Sequence, residues 1–479
     1  MNKSFKHLPK DQRKKILLIC DDIRVHSGVA TVAREIVNHT SHYYNWVQMA
    51  GAINHPEKGK ILDLSQSVSK IANIEDASVL LYPNDGYGTP ETLRNVIERE
   101  NPDAIMLVTD PRYFTWVFNM EQELRRKIPI TYLNIWDDYP APMYNSAYYE
   151  SCDLLMGISK QTVNINKIVL GDKGKNKIFK YIPHGLDDNL YKPISKDLPE
   201  FVKFKKELFR GVDPNFVLFF NSRNIRRKQI PDTMLAFKTF LDGLSKEEAD
   251  KCRMILHTEL VTDHGTDLEA VYEYFFGEKY ANNIIFSTSK LPQQHLNYLY
   301  NLADVQILLT SNEGWGLTLT EAMLSGTPII ANVTGGMQDQ MRFVDENGKW
   351  FTPSPEIPSN NTGRYKEHGE WAFPVYPTSR SIQGSPQTPY IFDDRCTWED
   401  AAEQIKAVYD LGDEERKRRG EEGRKWATSE EAGFTSKHQA NKVMEAFDEL
   451  FETWKPREKY EIINANEYNG KFLKHNLNY

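Results

Sequence analysis

Four cysteines in 479 residues, Cys20, Cys152, Cys252 and Cys396, leave little for a disulfide framework. They are scattered, form no Cys-x-x-Cys, and make no His/Cys pair of zinc spacing, which excludes the common zinc and dithiol modules. Free thiols in a reducing, cytoplasmic setting are the expectation. Long hydrophobic runs are also missing. No stretch approaches the ~18 apolar residues of a membrane span. Ile16–Cys20, which follows a polar and basic N-terminal arm, is too short for a signal peptide. A strong excess of one charge is absent: 59 Lys and Arg face 67 Asp and Glu, a net charge of −8. That balance argues against a general nucleic-acid or membrane binder, though a local basic cleft is compatible with it. Internal repeats are absent too, which excludes solenoids and propellers.

What is present suits two ordinary cores. The chain is 40% hydrophobic and 12% aromatic and too long for one. Short apolar runs alternate with helical patterns such as Val29–Thr40 and Pro90–Arg99. The first series of runs is Ile16–Cys20, Ser78–Tyr82, Ala104–Thr109, Ile130–Trp136, Leu154–Ile158 and Ile178–Ile182. A second series is Phe216–Asn221, Met254–His257, Ile284–Ser287, Val305–Thr310 and Pro328–Ala331. Runs that are continuous rather than alternating suit strands covered on both faces. Their alternation with helices predicts right-handed βαβ units and parallel sheets. The expected fold class is α/β, with one Rossmann-like domain over 1–190 and a second over 191–430. The Pro-bearing stretch 187–214 connects them. Residues 352–397, rich in proline and aromatics without strand or helix periodicity, read as a long inserted loop; such loops are usually functional or disordered, and the aromatics argue against disorder. Residues 431–479 are expected to be a C-terminal helix and tail packing back on the first domain.

One segment concentrates the chemistry: Ser311-Asn-Glu-Gly-Trp-Gly-Leu-Thr-Leu-Thr-Glu-Ala-Met-Leu-Ser-Gly-Thr-Pro-Ile-Ile-Ala331. A strand precedes it, a glycine turn opens a helix within it, and Gly326-Thr-Pro328 stops that helix. Strand, glycine turn and helix N-terminus make a site for a phosphate-bearing ligand. On one helix, Glu313 and Glu321 would lie ~12 Å and ~80° apart, so they do not form a glycosidase-like pair. The alternative is a solvated Glu313 and a Glu321 that complements the helix dipole.

This segment resembles the E-x7-E signature of retaining glycosyltransferases of the large family 4 group. Other segments match in the same order: Lys15-Ile-Leu-Leu-Ile-Cys20 with Ser27-Gly28, Tyr181-Ile-Pro-His-Gly-Leu-Asp187, Phe219-Phe-Asn-Ser-Arg-Asn-Ile-Arg-Arg-Lys228, and the helix region Lys290–Asp304. The resemblance spans residues 15 to 345 and implies two Rossmann-like domains across a cleft, the B-type glycosyltransferase fold. It implies transfer from a nucleotide diphosphate sugar, a UDP-sugar above all, with no cofactor and no metal. Catalytic roles would fall on Glu313, Arg223 and Lys228. Glu313 would face the donor sugar, and Glu321 would bind the ribose. Gly28, Gly314, Trp315, Gly316, Leu317 and Thr318 would approach the donor, and Lys290 and Leu291 the nucleobase. Arg226 and Arg227 read as solvent-facing. Family members commonly have a shorter segment at 352–397, and often a histidine in the first domain where this chain offers Asp110 or Asp137.

Asp110, Trp136 and Asp137 are therefore the acceptor-side candidates; as a rival reading, the aspartates merely cap the next helix. Asn84-Asp-Gly-Tyr-Gly88 is a further loop of this kind, and His184 reads as a hinge residue. Two other functions share the fold: a nucleotide-sugar 2-epimerase, and a binding protein without turnover. The acceptor stays open among sugars, lipid-linked glycans, small metabolites, proteins and hydroxymethylated pyrimidines in DNA. For DNA the inserted loop offers aromatics with Arg364, Lys366, Arg380 and Arg395. Oligomeric state is not legible.

Overall fold

The structure is a computed structural model that describes residues 5–353, 360–361 and 363–458. The first domain holds β1 (Lys14–Asp21), β2 (Tyr44–Gly51), β3 (Leu62–Asp63), β4 (Val79–Pro83), β5 (Ala104–Val108), β6 (Ile130–Asn134), β7 (Leu154–Gly157) and β8 (Ile178–Tyr181). They form one sheet in the order β3-β4-β2-β1-β5-β6-β7-β8. Every neighbouring pair is parallel except β3 with β4. The apolar runs are central in it: Ile16 to Cys20 and Ala104 to Val108 are buried throughout.

The second domain holds β9 (Phe216–Asn221), β10 (Cys252–His257), β11 (Ile284–Ser287), β12 (Val305–Leu308), β13 (Ile329–Asn332) and β14 (Ala372–Val375), in the order β11-β10-β9-β12-β13-β14. This sheet is parallel throughout. In each sheet the strand order reverses beside the first strand, between β1 and β5 and between β9 and β12. Open α/β sheets bind ligands at such switch points, outside the carboxyl ends of the strands. Ser27-Gly28 and Asp110 follow β1 and β5; Lys228 and Glu313 follow β9 and β12.

Three elements differ from the sequence expectation. β2 was not expected because Asn45 and Gln48 interrupt its apolar run. Both are buried and tied to backbone carbonyls: Asn45 Nδ2 donates to Lys10 O at 2.8 Å, and Gln48 Nε2 to Asp21 O at 2.7 Å. The connection 187–214 contains a helix, Pro199–Leu208. The inserted segment is no structureless loop. It supplies β14 and then a hairpin of β15 (Ser379–Ser385) and β16 (Thr388–Arg395), which pair antiparallel; its residues 354–359 and 362 lie outside the described residues, as does the tail 459–479.

The chain passes between domains twice, and the passages are tied together. Leu186 N donates to Phe434 O at 3.1 Å and Ser436 N to Leu186 O at 2.9 Å. A side chain at Gly185 would collide with the Thr435 carbonyl, so the expected hinge needs glycine there. Beyond it, the helix Ser436–Thr453 lies on the first domain: Ser436 Oγ donates to Glu35 at 2.7 Å, and Lys180 pairs with Glu449 at 2.5 Å. Among the described residues no helix is long and apolar enough to cross a membrane.

Candidate active site

Glu313 stands in the loop between β12 and the helix Leu317–Leu324. Gly316 begins that helix at φ 87°, a left-handed conformation that glycine adopts without strain. The Glu313 carboxylate accepts from Arg227 Nη1 at 2.9 Å and from Lys228 Nζ. Arg227 also donates to the Asn312 carbonyl at 2.6 Å, bracing the loop. Both cations come from a short 3-10 turn, Arg226–Lys228, after β9. Burial alone would raise the Glu313 carboxyl, but the two cations outweigh it and hold it at about 2. The group is a committed carboxylate at neutral pH.

Arg223, the other expected cation, is exposed and stands outside this cluster, while Arg227, expected to face solvent, belongs to it. The turn is what separates them. Three residues wind tightly after the strand, and Arg227 is carried under Glu313 while Arg223 stays at the surface.

The first domain reaches the cluster through Asp137. Its carboxylate accepts from Gly314 N at 3.0 Å across the domain boundary. Burial raises its pKa; the charge of Arg227 opposes this and that of Glu313 adds to it. Of the acceptor-side candidates, then, Asp137 is at the Glu313 cluster. Trp136 is buried, with Nε1 donating to Asp138 O at 2.8 Å. Asp110 caps the turn Pro111–Phe114 and accepts from Arg112 Nε at 2.8 Å. The residue before it, Thr109, has φ 129°, costly for a β-branched side chain at roughly 1–3 kcal/mol. Tyr132 Oη secures its carbonyl at 2.9 Å.

Two helix N-termini meet beside the cluster. Gly28 opens the helix Gly28–Thr40, and a side chain there would stand 3.4 Å from Leu317. Thr318 Oγ1, in the first turn of the opposing helix, is buried without a hydrogen-bond partner. Backbone N–H groups, two helix dipoles and a vacant hydroxyl are what an anionic ligand uses. The Gly314 N–H is taken by Asp137. The Trp315 ring, expected at the donor, lies in the core against Phe434 at 4.9 Å, with Nε1 donating to Thr320 at 2.9 Å. His184 packs edge-on against it at 6.2 Å and is held neutral, its pKa lowered to about 3 by burial. Lys290 is exposed and Leu291 half-buried on the loop after β11.

Glu321 lies in a different setting. Its carboxylate accepts from Tyr300 Oη at 2.5 Å and Asn221 Nδ2 at 3.5 Å, with Tyr191 alongside. No cation offsets its burial, and its pKa rises to about 7, the tyrosines opposing the rise only in part. The folded chain therefore binds this proton more tightly than the unfolded chain. The stability it contributes is complete below pH 4.5, falls as pH rises to about 7, and is gone above. We expect Glu321→Gln to remove this loss. The difference in thermal stability between variant and wild type should widen by up to about 3 kcal/mol from pH 4.5 to 7.5 and then stay constant. A pH-independent difference would show that Glu321 titrates normally.

Among the described residues no three His, Cys, Asp or Glu side chains gather as a metal site. Sequence reasoning did not foresee the contact of Arg227 with Glu313 or the hairpin. Adjacent basic residues do not reveal which one a turn will carry to the carboxylate.

Residues 208–357 match the family model "Glycosyl transferases group 1". Mannosylfructose-phosphate synthase of Agrobacterium fabrum is 24% identical over 199 residues, 40% of this chain and 39% of that protein. An uncharacterized glycosyltransferase of Methanocaldococcus jannaschii is 27% identical over 117 residues, 24% of this chain and 27% of that protein. The alignments thus span well under half the length of these curated relatives. Among solved structures, sucrose-phosphate synthase of Thermosynechococcus elongatus has a TM-score of 0.64 at 14% identity, covering 92% of this chain and all of that one. HepE of Anabaena, solved with UDP and glucose, has a TM-score of 0.61 at 16% identity, covering 91% of this chain and all of that one.

Proposed function

We propose, for a chain that carries a group 1 glycosyltransferase domain on the B-type fold, that it moves a sugar from a UDP-sugar to an acceptor hydroxyl with retention of anomeric configuration. One observation carries this: Lys228 and Arg227 converge on Glu313 at the switch point of the second sheet, beside two facing helix N-termini. The leaving diphosphate develops charge where these donors are already oriented, which is how such sites lower a barrier. Glu313, ionised and largely shielded from solvent, answers the positive charge that grows on the anomeric carbon. Glu321 takes the ribose hydroxyls. The departing phosphate accepts the acceptor's proton, so no protein base is required on the reacting face. Solved relatives of this fold with UDP and glucose, or with UDP-glucose, support the choice of donor.

The test is release of UDP from candidate UDP-sugars by the purified chain, with and without acceptor mixtures, and mass spectrometry of the products. Epimerised donor without transfer would favour a 2-epimerase; binding without turnover would favour a sugar-nucleotide sensor.

Because Lys228, Arg227 and the helix N-termini supply the positive field, UDP release is expected to keep its rate in excess chelator. Loss of activity in EDTA that magnesium or manganese restores would contradict this assignment.

A further inference from the structure

The hairpin β15–β16 is not a free flap. Its second strand docks across the first domain: Phe392 N donates to Tyr139 O at 2.7 Å, Tyr144 Oη to Tyr390 O at 3.1 Å, and Arg112 Nη1 to Thr388 Oγ1 at 2.7 Å. At its base, Asp393 accepts from Asn312 Nδ2 at 2.6 Å and from Ser311 Oγ at 3.1 Å, the two residues before Glu313. Where the hairpin tip meets the first domain there is a pocket of about 490 Å³. Tyr113, Tyr144 and Tyr148 wall it, with Pro386 and Pro389 of the hairpin opposite. It lies beyond the carboxyl end of β5. Tyr144 stands edge-on to Trp136 at 6.0 Å, the residue before Asp137.

We propose that this pocket is a distal acceptor subsite for an uncharged sugar ring of an oligosaccharide chain. The proposal rests on the transferase reading above. The walls offer aromatic faces and hydroxyls together, the combination that meets a pyranose's C–H face and its hydroxyl rim. Arg112 is the lining cation, and its charge is paired: Nε and Nη2 are on Asp110 and Nη1 is on Thr388. A nucleic-acid strand or a sugar phosphate calls for unpaired cations, and the pocket provides none. Asn145 borders the pocket with its amide turned inward beside the Tyr149 hydroxyl, so it adds no charge to the lining.

Position sets the ligand's length. From Pro389 at the pocket to Asp393 at the Glu313 loop is four residues of extended strand, about 13 Å. A monosaccharide does not bridge that distance. A chain of several rings does, with its reactive hydroxyl in the cleft and a distal ring in the pocket.

The test uses the full chain, wild type and two variants, Tyr113→Ala and Gln387→Ala. Tyr113 is 56% exposed, so its loss leaves the core intact. Binding is measured on an array of neutral oligosaccharides with their monosaccharides, and to a single-stranded DNA 12-mer; UDP release from UDP-glucose without acceptor is followed in parallel. We expect at least one neutral oligosaccharide to bind and its monosaccharide not to. Tyr113→Ala should weaken that binding about tenfold, the scale of one lost ring contact, with UDP release unchanged. DNA binding with all neutral glycans rejected overturns the proposal, as does glycan binding that neither variant alters. Glycan binding without turnover of any UDP-sugar would sink the transferase reading and leave the glycan site standing.

Discussion

Glu313→Gln is expected to lose turnover by about 10²–10³ while binding free UDP at least as tightly as the unaltered chain. Turnover falls because glutamine keeps the shape of the side chain but not the charge that faces the anomeric carbon as it becomes cationic, an interaction that matters most in the transition state. UDP binding is retained for a reason visible in the geometry. Lys228 and Arg227 are both held on the Glu313 carboxylate, and its removal frees them for the diphosphate. Glu321→Gln should do the opposite. Its partners are Tyr300, Tyr191 and Asn221, and ribose contacts exist in ground and transition states alike, so affinity falls and turnover at saturation changes little. Ribose hydroxyls donate to the ionised carboxylate, so UDP affinity of the unaltered chain should also rise through about pH 7, and this step should vanish in Glu321→Gln. Calorimetry of both variants with UDP decides it. Weak UDP binding by Glu313→Gln with normal binding by Glu321→Gln would show the two roles reversed.

The Rossmann-like cores were legible because their strands are covered on both faces and therefore continuous in sequence, as in Ile16–Cys20 and Phe216–Asn221. The strand, turn and helix around Glu313 were legible for a related reason: the glycines and the helix stop are local requirements. β2 was hidden by buried Asn45 and Gln48, whose partners are far along the chain or set by the fold. β15 was hidden differently. Ser379-Arg-Ser-Ile-Gln-Gly-Ser385 is exposed along its whole length and has no buried face to impose alternation. It is a strand because β16 pairs with it, and β16 is in place because the first domain and the Ser311-Asn312 loop hold it. Which arginine contacts Glu313 was hidden for the same kind of reason. Arg223 and Arg227 differ by four residues, and only the 3-10 turn between β9 and its following helix determines which one reaches the Glu313 carboxylate.

Lys228→Ala is expected to cut turnover by about 10²–10³, the scale of about 2–4 kcal/mol for one preorganised donor, and to weaken UDP binding as well. Both fall because a diphosphate is anionic before and after the bond breaks, and more so at the leaving oxygen. Arg227→Ala should behave differently. Arg227 holds the Asn312 carbonyl as well as Glu313, so its loss releases the loop that carries the carboxylate, and turnover should fall more than UDP affinity. Arg223→Ala, at an exposed position outside the cluster, should change neither. Acid stability supplies an independent readout. The Glu313 carboxyl is held at about 2 against an ordinary 4.5, so its contribution to stability is present above pH 4.5 and lost as pH falls toward 2. Removing either cation raises that carboxyl, and the acid unfolding midpoint should move to higher pH in Lys228→Ala and Arg227→Ala but not in Arg223→Ala. An Arg223→Ala variant that loses UDP binding while Arg227→Ala keeps full turnover would return the phosphate clamp to the residue that lies on the surface here, and would require the turn after β9 to rewind when the donor binds.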